Sequence, residues 1–218
     1  MARRWVQLAG LWVLAGAVLV AADFWEEQPF MAWSDKDAAK MLRDSPWADE
    51  VSVALPPQLR PESDGGGRGR GGGDGFTQPR RAVMTVSWRS ALPIKQALVR
   101  GQVGEGGEIS AGNQEFLEAE EAFYVVGVLG VPPQFGRTPL EQIKAESFLE
   151  RKGKDPLAAE DVIFQRGQDT LLLLVAFPRS AGITVDDGDV EFKTKLGTFG
   201  IKKKFKLKDM VYQGKLAM

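Results

Sequence analysis

Cysteine and histidine are both absent from the 218 residues of the chain. Without cysteine there is no disulfide, no thiolate nucleophile and no thiolate metal site. Without histidine, the commonest general base and the commonest transition-metal ligand are missing. These absences exclude Ser-His-Asp and Cys-His catalysis and any His-ligated zinc site. Carboxylates are the only abundant acid–base groups that remain.

An excess of one charge sign is also lacking, since 28 lysines and arginines face 29 acidic residues. No overall field draws the protein towards nucleic acid, so any charged site is local and no nucleic-acid partner is expected. The Gly-rich tract that holds Arg68 and Arg70 resembles RNA-binding tracts, but Asp64 and Asp74 flank it. This pattern favours a flexible loop. No dinucleotide or phosphate-loop motif occurs, and no cofactor is predicted.

One long apolar run occurs, at the amino terminus. Arg3 and Arg4 precede residues 5–22, which are apolar apart from Gln7 and end with small side chains up to Ala22. This pattern predicts a signal peptide over residues 1–22, cleaved after Ala22, and a periplasmic or secreted protein. The alternative is a single-pass anchor formed by residues 5–22, because about 18 apolar residues is the lower limit for a membrane span. A membrane contact is expected only in that case.

The remainder, residues 23–218, is predicted to form a single α+β domain, mainly an antiparallel β-sheet with three or four short helices. A capping box of Ser34 and Asp37 predicts a first helix that ends by residue 45. Further helices are predicted over residues 90–100 and 138–153. Residues 56–81 are rich in Gly, Arg and Pro, and predict a flexible loop. Strands are predicted over residues 51–55, 83–88, 122–131, 161–165, 171–177, 190–196 and 201–207, with a further short strand at 210–212.

The strand that begins at Ile201 carries alternating lysines on one face. If the hairpin turns through residues 197–200, Lys193 lies opposite Lys204 and Lys195 lies opposite Lys202. Glu191 then lies opposite Lys206, and Asp189 lies opposite Lys208. The four lysines Lys193, Lys195, Lys202 and Lys204 are the candidate contacts for an anion. The alternative is a solvated face whose charges prevent edge-to-edge aggregation.

Aromatic residues crowd the start of the predicted mature chain. Trp25, Trp33 and Trp47 are candidates for a platform that binds a sugar or a protein partner. The alternative is that they pack the first helix onto the sheet. The acidic cluster at residues 186–189 lacks the EF-hand order and favours a charged turn, so no metal site is predicted.

Two segments resemble parts of uncharacterised exported proteins encoded in acidobacterial genomes. They are FMAWSDKDAAKMLRDSPWA from Phe30 and VEFKTKLGTFGIKKKFKLKDMVYQGKL from Val190. The resemblance implies bacterial origin and export. It implies no activity and supplies no site residue.

The sequence as a whole favours a non-catalytic envelope or secreted protein that contacts an unknown envelope protein or polymer. Two alternatives stay open. One is a module that binds anions or an envelope polymer through the lysine strand. The other is a carboxylate-dependent polysaccharide hydrolase, which requires two acidic side chains about 5 to 10 Å apart in a cleft.

Overall fold

A computed structural model of the chain describes residues 23–54, 81–167 and 169–218. The predicted signal peptide, residues 1–22, lies outside the described residues. So does the predicted loop at 56–81, except that its last residue, Arg81, begins a β-strand.

The described residues form an α+β domain, as predicted, with five short α-helices. The helices are α1 (Phe24–Glu27), α2 (Asp35–Arg43), α3 (Leu92–Val103), α4 (Ala111–Glu118) and α5 (Leu140–Ala145). The strands are β1 (Ala48–Ala54), β2 (Arg81–Trp88), β3 (Phe123–Val131), β4 (Phe148–Arg151), β5 (Leu157–Ala158), β6 (Asp161–Arg166), β7 (Leu171–Pro178), β8 (Asp189–Leu196), β9 (Phe199–Lys206), β10 (Val211–Tyr212) and β11 (Lys215–Leu216). None of these helices is long and apolar enough to cross a membrane.

The strands form two larger sheets and one hairpin. The first sheet has five strands in the order β1-β2-β3-β7-β6, and the second has four in the order β5-β4-β8-β9. Strands β10 and β11 pair only with each other. Every pairing is antiparallel, which confirms the predicted sheet type.

One hydrophobic core joins the two larger sheets. Side chains of β7 alternate between buried and half-buried, as expected for a strand with one face towards a core. The Phe177 ring of β7 lies 6.2 Å from the Phe192 ring of β8, and the Trp88 ring of β2 lies 5.2 Å from the Phe205 ring of β9. The two sheets therefore pack against each other through these faces.

Helix α2 begins as its sequence predicts. The Ser34 hydroxyl accepts a hydrogen bond from the Asp37 backbone N–H at 3.1 Å, and the Asp37 carboxylate accepts one from the Ser34 N–H at 3.1 Å. This reciprocal pair satisfies two backbone donors that the first turn of a helix leaves without partners. At the other end, the Ser45 hydroxyl donates to the Met41 carbonyl at 2.7 Å, which closes the helix before β1.

The predicted helix at 90–100 is shifted along the chain. Helix α3 runs through Gly101 to Val103, and Gly104 follows it with a φ of 75°. Glycine adopts this conformation without the clash that a Cβ would cause, so the helix stops there. Ser90 does not cap the helix, because its hydroxyl instead accepts a hydrogen bond from the Val125 N–H of β3 at 3.0 Å.

The predicted helix at 138–153 is wrong in its second half. Helix α5 ends at Ala145, and residues 148–151 form β4. The Ser147 hydroxyl donates to the Ile143 carbonyl at 2.7 Å and lies 2.7 Å from the Thr194 hydroxyl of β8. Leu149 is then fully buried opposite Phe192. Tertiary pairing with β8 has overridden the local helix signals.

Candidate binding surfaces

The predicted register of the lysine hairpin is wrong by two residues, although the predicted faces are correct. A turn of only two residues, Gly197 and Thr198, joins β8 to β9. Gly197 has a φ of 65°, which permits this tight turn and shortens the predicted four-residue loop. Lys193 lies opposite Lys202, and Lys195 lies opposite Gly200. Glu191 and Asp189 lie opposite Lys204 and Lys206.

Carboxylates neutralise most of the lysine face. Lys193 Nζ lies 2.5 Å from Glu150 and 2.9 Å from Glu191. These hydrogen bonds, Glu150 first, raise the pKa of Lys193. Two further lysines have a partner each: Lys195 Nζ lies 2.7 Å from Glu146, and Lys204 Nζ lies 3.8 Å from Asp189.

Among the described residues, Lys202 and Lys206 have no carboxylate within the 4.0 Å of an ion pair. The face is therefore of mixed charge, with Lys202 and Lys206 as its least compensated lysines. Anion binding by this face stays a prediction.

The three candidate tryptophans lie in the core. Trp33 and Trp47 are fully buried and Trp25 is 7% exposed, so they cannot form the exposed platform that the sequence allowed. Trp47 Nε1 donates to the Ala217 carbonyl at 2.8 Å, and its ring lies 5.8 Å from that of Trp25. Their burial follows from their size, since large aromatic side chains supply much of the buried surface of a small domain. Of these three tryptophans, Trp25 also lines one of the two grooves described next.

Two adjacent grooves flank the turn between β10 and β11. The first, which we call the helix groove, has a volume of about 580 Å³ and lies between α3, the segment 117–121 and the hairpin. The second, the aromatic groove, has a volume of about 460 Å³ and lies between residues 25–30 and the turn. Both volumes fall within the roughly 300 to 1,000 Å³ of small-molecule sites.

The β10–β11 turn forms the wall between the grooves, because Tyr212 and Gln213 line both. Gln213 has a φ of 50°, and it is the one residue other than glycine with a positive φ in the described ranges. Gly214 follows with a φ of 74°. The Tyr212 hydroxyl donates to Gln96 Oε1 at 2.8 Å. Burial raises the pKa of the Tyr212 phenol, so it remains a neutral donor at physiological pH.

Two charged side chains of the helix groove, Lys95 and Arg179, are held by contacts within the protein. Lys95 is 2% exposed, and its ammonium donates to the Ala119 carbonyl at 3.2 Å and to Glu121 Oε1 at 3.0 Å. The Arg179 guanidinium lies 4.7 Å from the centre of the Tyr124 ring and donates to the carbonyl of Met218. These contacts fix the groove walls before any ligand binds.

The acidic cluster at 186–189 has a structural role. Asp187 Oδ2 accepts from the Thr184 N–H at 3.0 Å and lies 3.8 Å from Arg151, and the carboxylate also pairs with Lys154. Its hydrogen bond with Lys154 is the main cause of a lowered pKa for Asp187. The charged-turn interpretation is confirmed. Within the described ranges, no group of three or more acidic side chains is placed to hold a metal ion.

Little in the local sequence indicates the two grooves. Their walls come from five separate parts of the chain, and only the Gln-Gly pair of a tight turn marks the site locally. A search of protein families, of curated proteins and of solved structures found no match to this chain.

Proposed function

We propose that this chain is an exported, non-catalytic binding protein that holds a component of the cell envelope in the two grooves at the β10–β11 turn. The observation that carries the proposal is the pair of neighbouring grooves, whose shared wall is fixed by the bond between Tyr212 and Gln96. The apolar run of residues 5–22, with its small-residue exit, supports export.

A binding role suits the groove chemistry better than hydrolysis. Glu120 and Glu121 both line the helix groove, but Glu121 is engaged as an acceptor of the Lys95 ammonium at 3.0 Å. A glycosidase needs one carboxyl group free to protonate the leaving oxygen and a second to act as base or nucleophile. The polysaccharide hydrolase therefore remains the weaker alternative.

Expression of the full chain in a bacterial host tests the proposal. We expect an intact mass that begins at Asp23, recovery in the envelope fraction, and retention of the purified protein on isolated envelopes. Glu120→Arg places a bulky cation in the helix groove and should reduce this retention. Glu141→Arg makes the same charge change on α5 and should leave it intact, since Glu141 does not line either groove. An uncleaved cytosolic chain, or equal retention of both variants, contradicts the proposal.

A further inference from the structure

We infer that the ligand of the β10–β11 turn is a neutral oligosaccharide and that Gln213 contacts it directly. This inference rests on the proposed function and names the chemical class of the ligand. Three observations support it: the backbone conformation of Gln213, the side chains that line the aromatic groove, and the internal pairing of charges in the helix groove.

Gln213 occupies a backbone position that favours glycine or asparagine. Two-residue hairpin turns with positive φ at both central positions are dominated by Asn-Gly, Asp-Gly and Gly-Gly. At φ 50°, the Cβ of Gln213 costs conformational energy that glycine would avoid. Strained residues of this kind cluster at functional sites. Gln213 lines both grooves, so a ligand in either groove lies beside it.

The aromatic groove combines hydrogen-bonding groups with aromatic surface. Among the described residues that line it there is no lysine and no arginine. Three amides, three aromatic side chains and two carboxylates line it, namely Gln28, Gln96, Gln213, Trp25, Phe30, Tyr212, Glu26 and Glu27. Trp25 and Tyr212 are buried, so the half-buried Phe30 offers most of the aromatic surface. An amide both donates and accepts hydrogen bonds, as the hydroxyl groups of a sugar do. The apolar faces of sugar rings pack against aromatic side chains, which are large and partly polar surfaces.

A ligand that spans both grooves and carries charge of one sign meets repulsion in one of them. An anion in the aromatic groove would meet the exposed carboxylates Glu26 and Glu27. A cation in the helix groove would meet Arg179 and Lys215. Lys95 does not compensate an added anion, because it is already paired with Glu121. A neutral chain of hydroxyl-bearing rings avoids both repulsions and reaches from one groove to the other across Gln213.

The test compares two turns in the same protein. A soluble tetramer of β-1,4-linked N-acetylglucosamine is titrated calorimetrically into the exported chain and into Gln213→Gly. Glycine suits the turn, so the variant should melt at the same temperature or higher, whereas its affinity for the tetramer should fall at least tenfold. Thr198→Gly makes a comparable change in the β8–β9 turn, outside both grooves, and should bind like the parent.

The outcomes separate the ligand class from the proposed function. Failure of the parent to bind the tetramer, or equal affinity in Gln213→Gly, overturns the inference. Gln213-dependent binding of oligolysine or polyglutamate, with none of the tetramer, also overturns it. If Glu120→Arg still loses envelope retention in those cases, the proposed function stands with a different ligand. Tetramer binding without any envelope retention refutes the envelope role instead.

Discussion

Two buried tryptophans offer a controlled measurement of one hydrogen bond. Trp47 and Trp88 are both fully buried, and each ring lies edge-on to neighbouring aromatic rings. The Trp47 N–H donates to the Ala217 carbonyl at 2.8 Å, whereas the Trp88 N–H has no partner among the described residues. Replacing each by phenylalanine removes a similar volume, but only Trp47→Phe breaks a hydrogen bond.

The expected difference follows from these contacts. Loss of ring volume in a packed core costs roughly 1 to 3 kcal/mol in either variant. Trp47→Phe also leaves the Ala217 carbonyl without its donor, which adds about 1 to 3 kcal/mol. Trp88→Phe instead removes a buried donor that has no partner, and this offsets part of its packing loss. We expect Trp47→Phe to lower the free energy of unfolding by about 2 kcal/mol more than Trp88→Phe.

Urea denaturation of the two variants and the parent, followed by far-UV circular dichroism, measures the difference. For a domain of this size, about 2 kcal/mol corresponds to a separation of roughly 4 to 8 °C in melting temperature. Equal destabilisation of both variants, or greater destabilisation by Trp88→Phe, would refute the reasoning. Equal m-values are the control, since they show that neither change alters the unfolded state.

Two further predictions concern charges. Asp187→Asn should lower the free energy of unfolding by about 1 to 3 kcal/mol at pH 7, because it weakens the bonds with Thr184 and Lys154. The Asp187 pKa is lowered in the folded state, so its stabilisation is present above about pH 4 and is lost as pH falls below that value. Urea titrations at pH 7 and pH 3 should show a smaller loss on acidification for the variant than for the parent, and parallel losses would contradict this. On the lysine face, we expect the parent to elute from an anionic resin at low salt, because nearby carboxylates compensate its charge. Lys202→Gln with Lys206→Gln should elute earlier still, and unchanged elution would show that these lysines do not contact the resin.

The local sequence predicted the parts of the fold that depend on interactions between residues close together in the chain. The capping box of Ser34 and Asp37 started α2 as expected, because both partners lie within one helical turn. The inner and outer faces of β8 and β9 followed from alternation alone. The register between β8 and β9 did not follow from alternation, since it depends on whether the turn at Gly197 contains two residues or four.

Contacts between distant residues decided the rest. The chain around Leu149 carries helix signals, yet it pairs with Phe192 of β8 and forms a strand. The sequence allows Trp25, Trp33 and Trp47 either a surface or a core position, and only contacts with distant residues such as Ala217 decide between the two. Both grooves join segments that lie far apart in the sequence, so no window of residues contains either site. One local clue was available, a glutamine before glycine in a tight turn.

The bond between Trp47 and Ala217 also bears on the order of folding. It joins residues 170 positions apart, whereas the β8–β9 hairpin closes across two residues. Closing a long loop costs more chain entropy than closing a short one, so local hairpins can form before distant contacts do. The hairpin that separates the grooves is anchored by this bond and by the bond between Tyr212 and Gln96, so we expect it to dock after the β8–β9 hairpin has formed. Ligand binding at the turn would therefore report that the whole domain, and not only its local hairpins, has reached the native state.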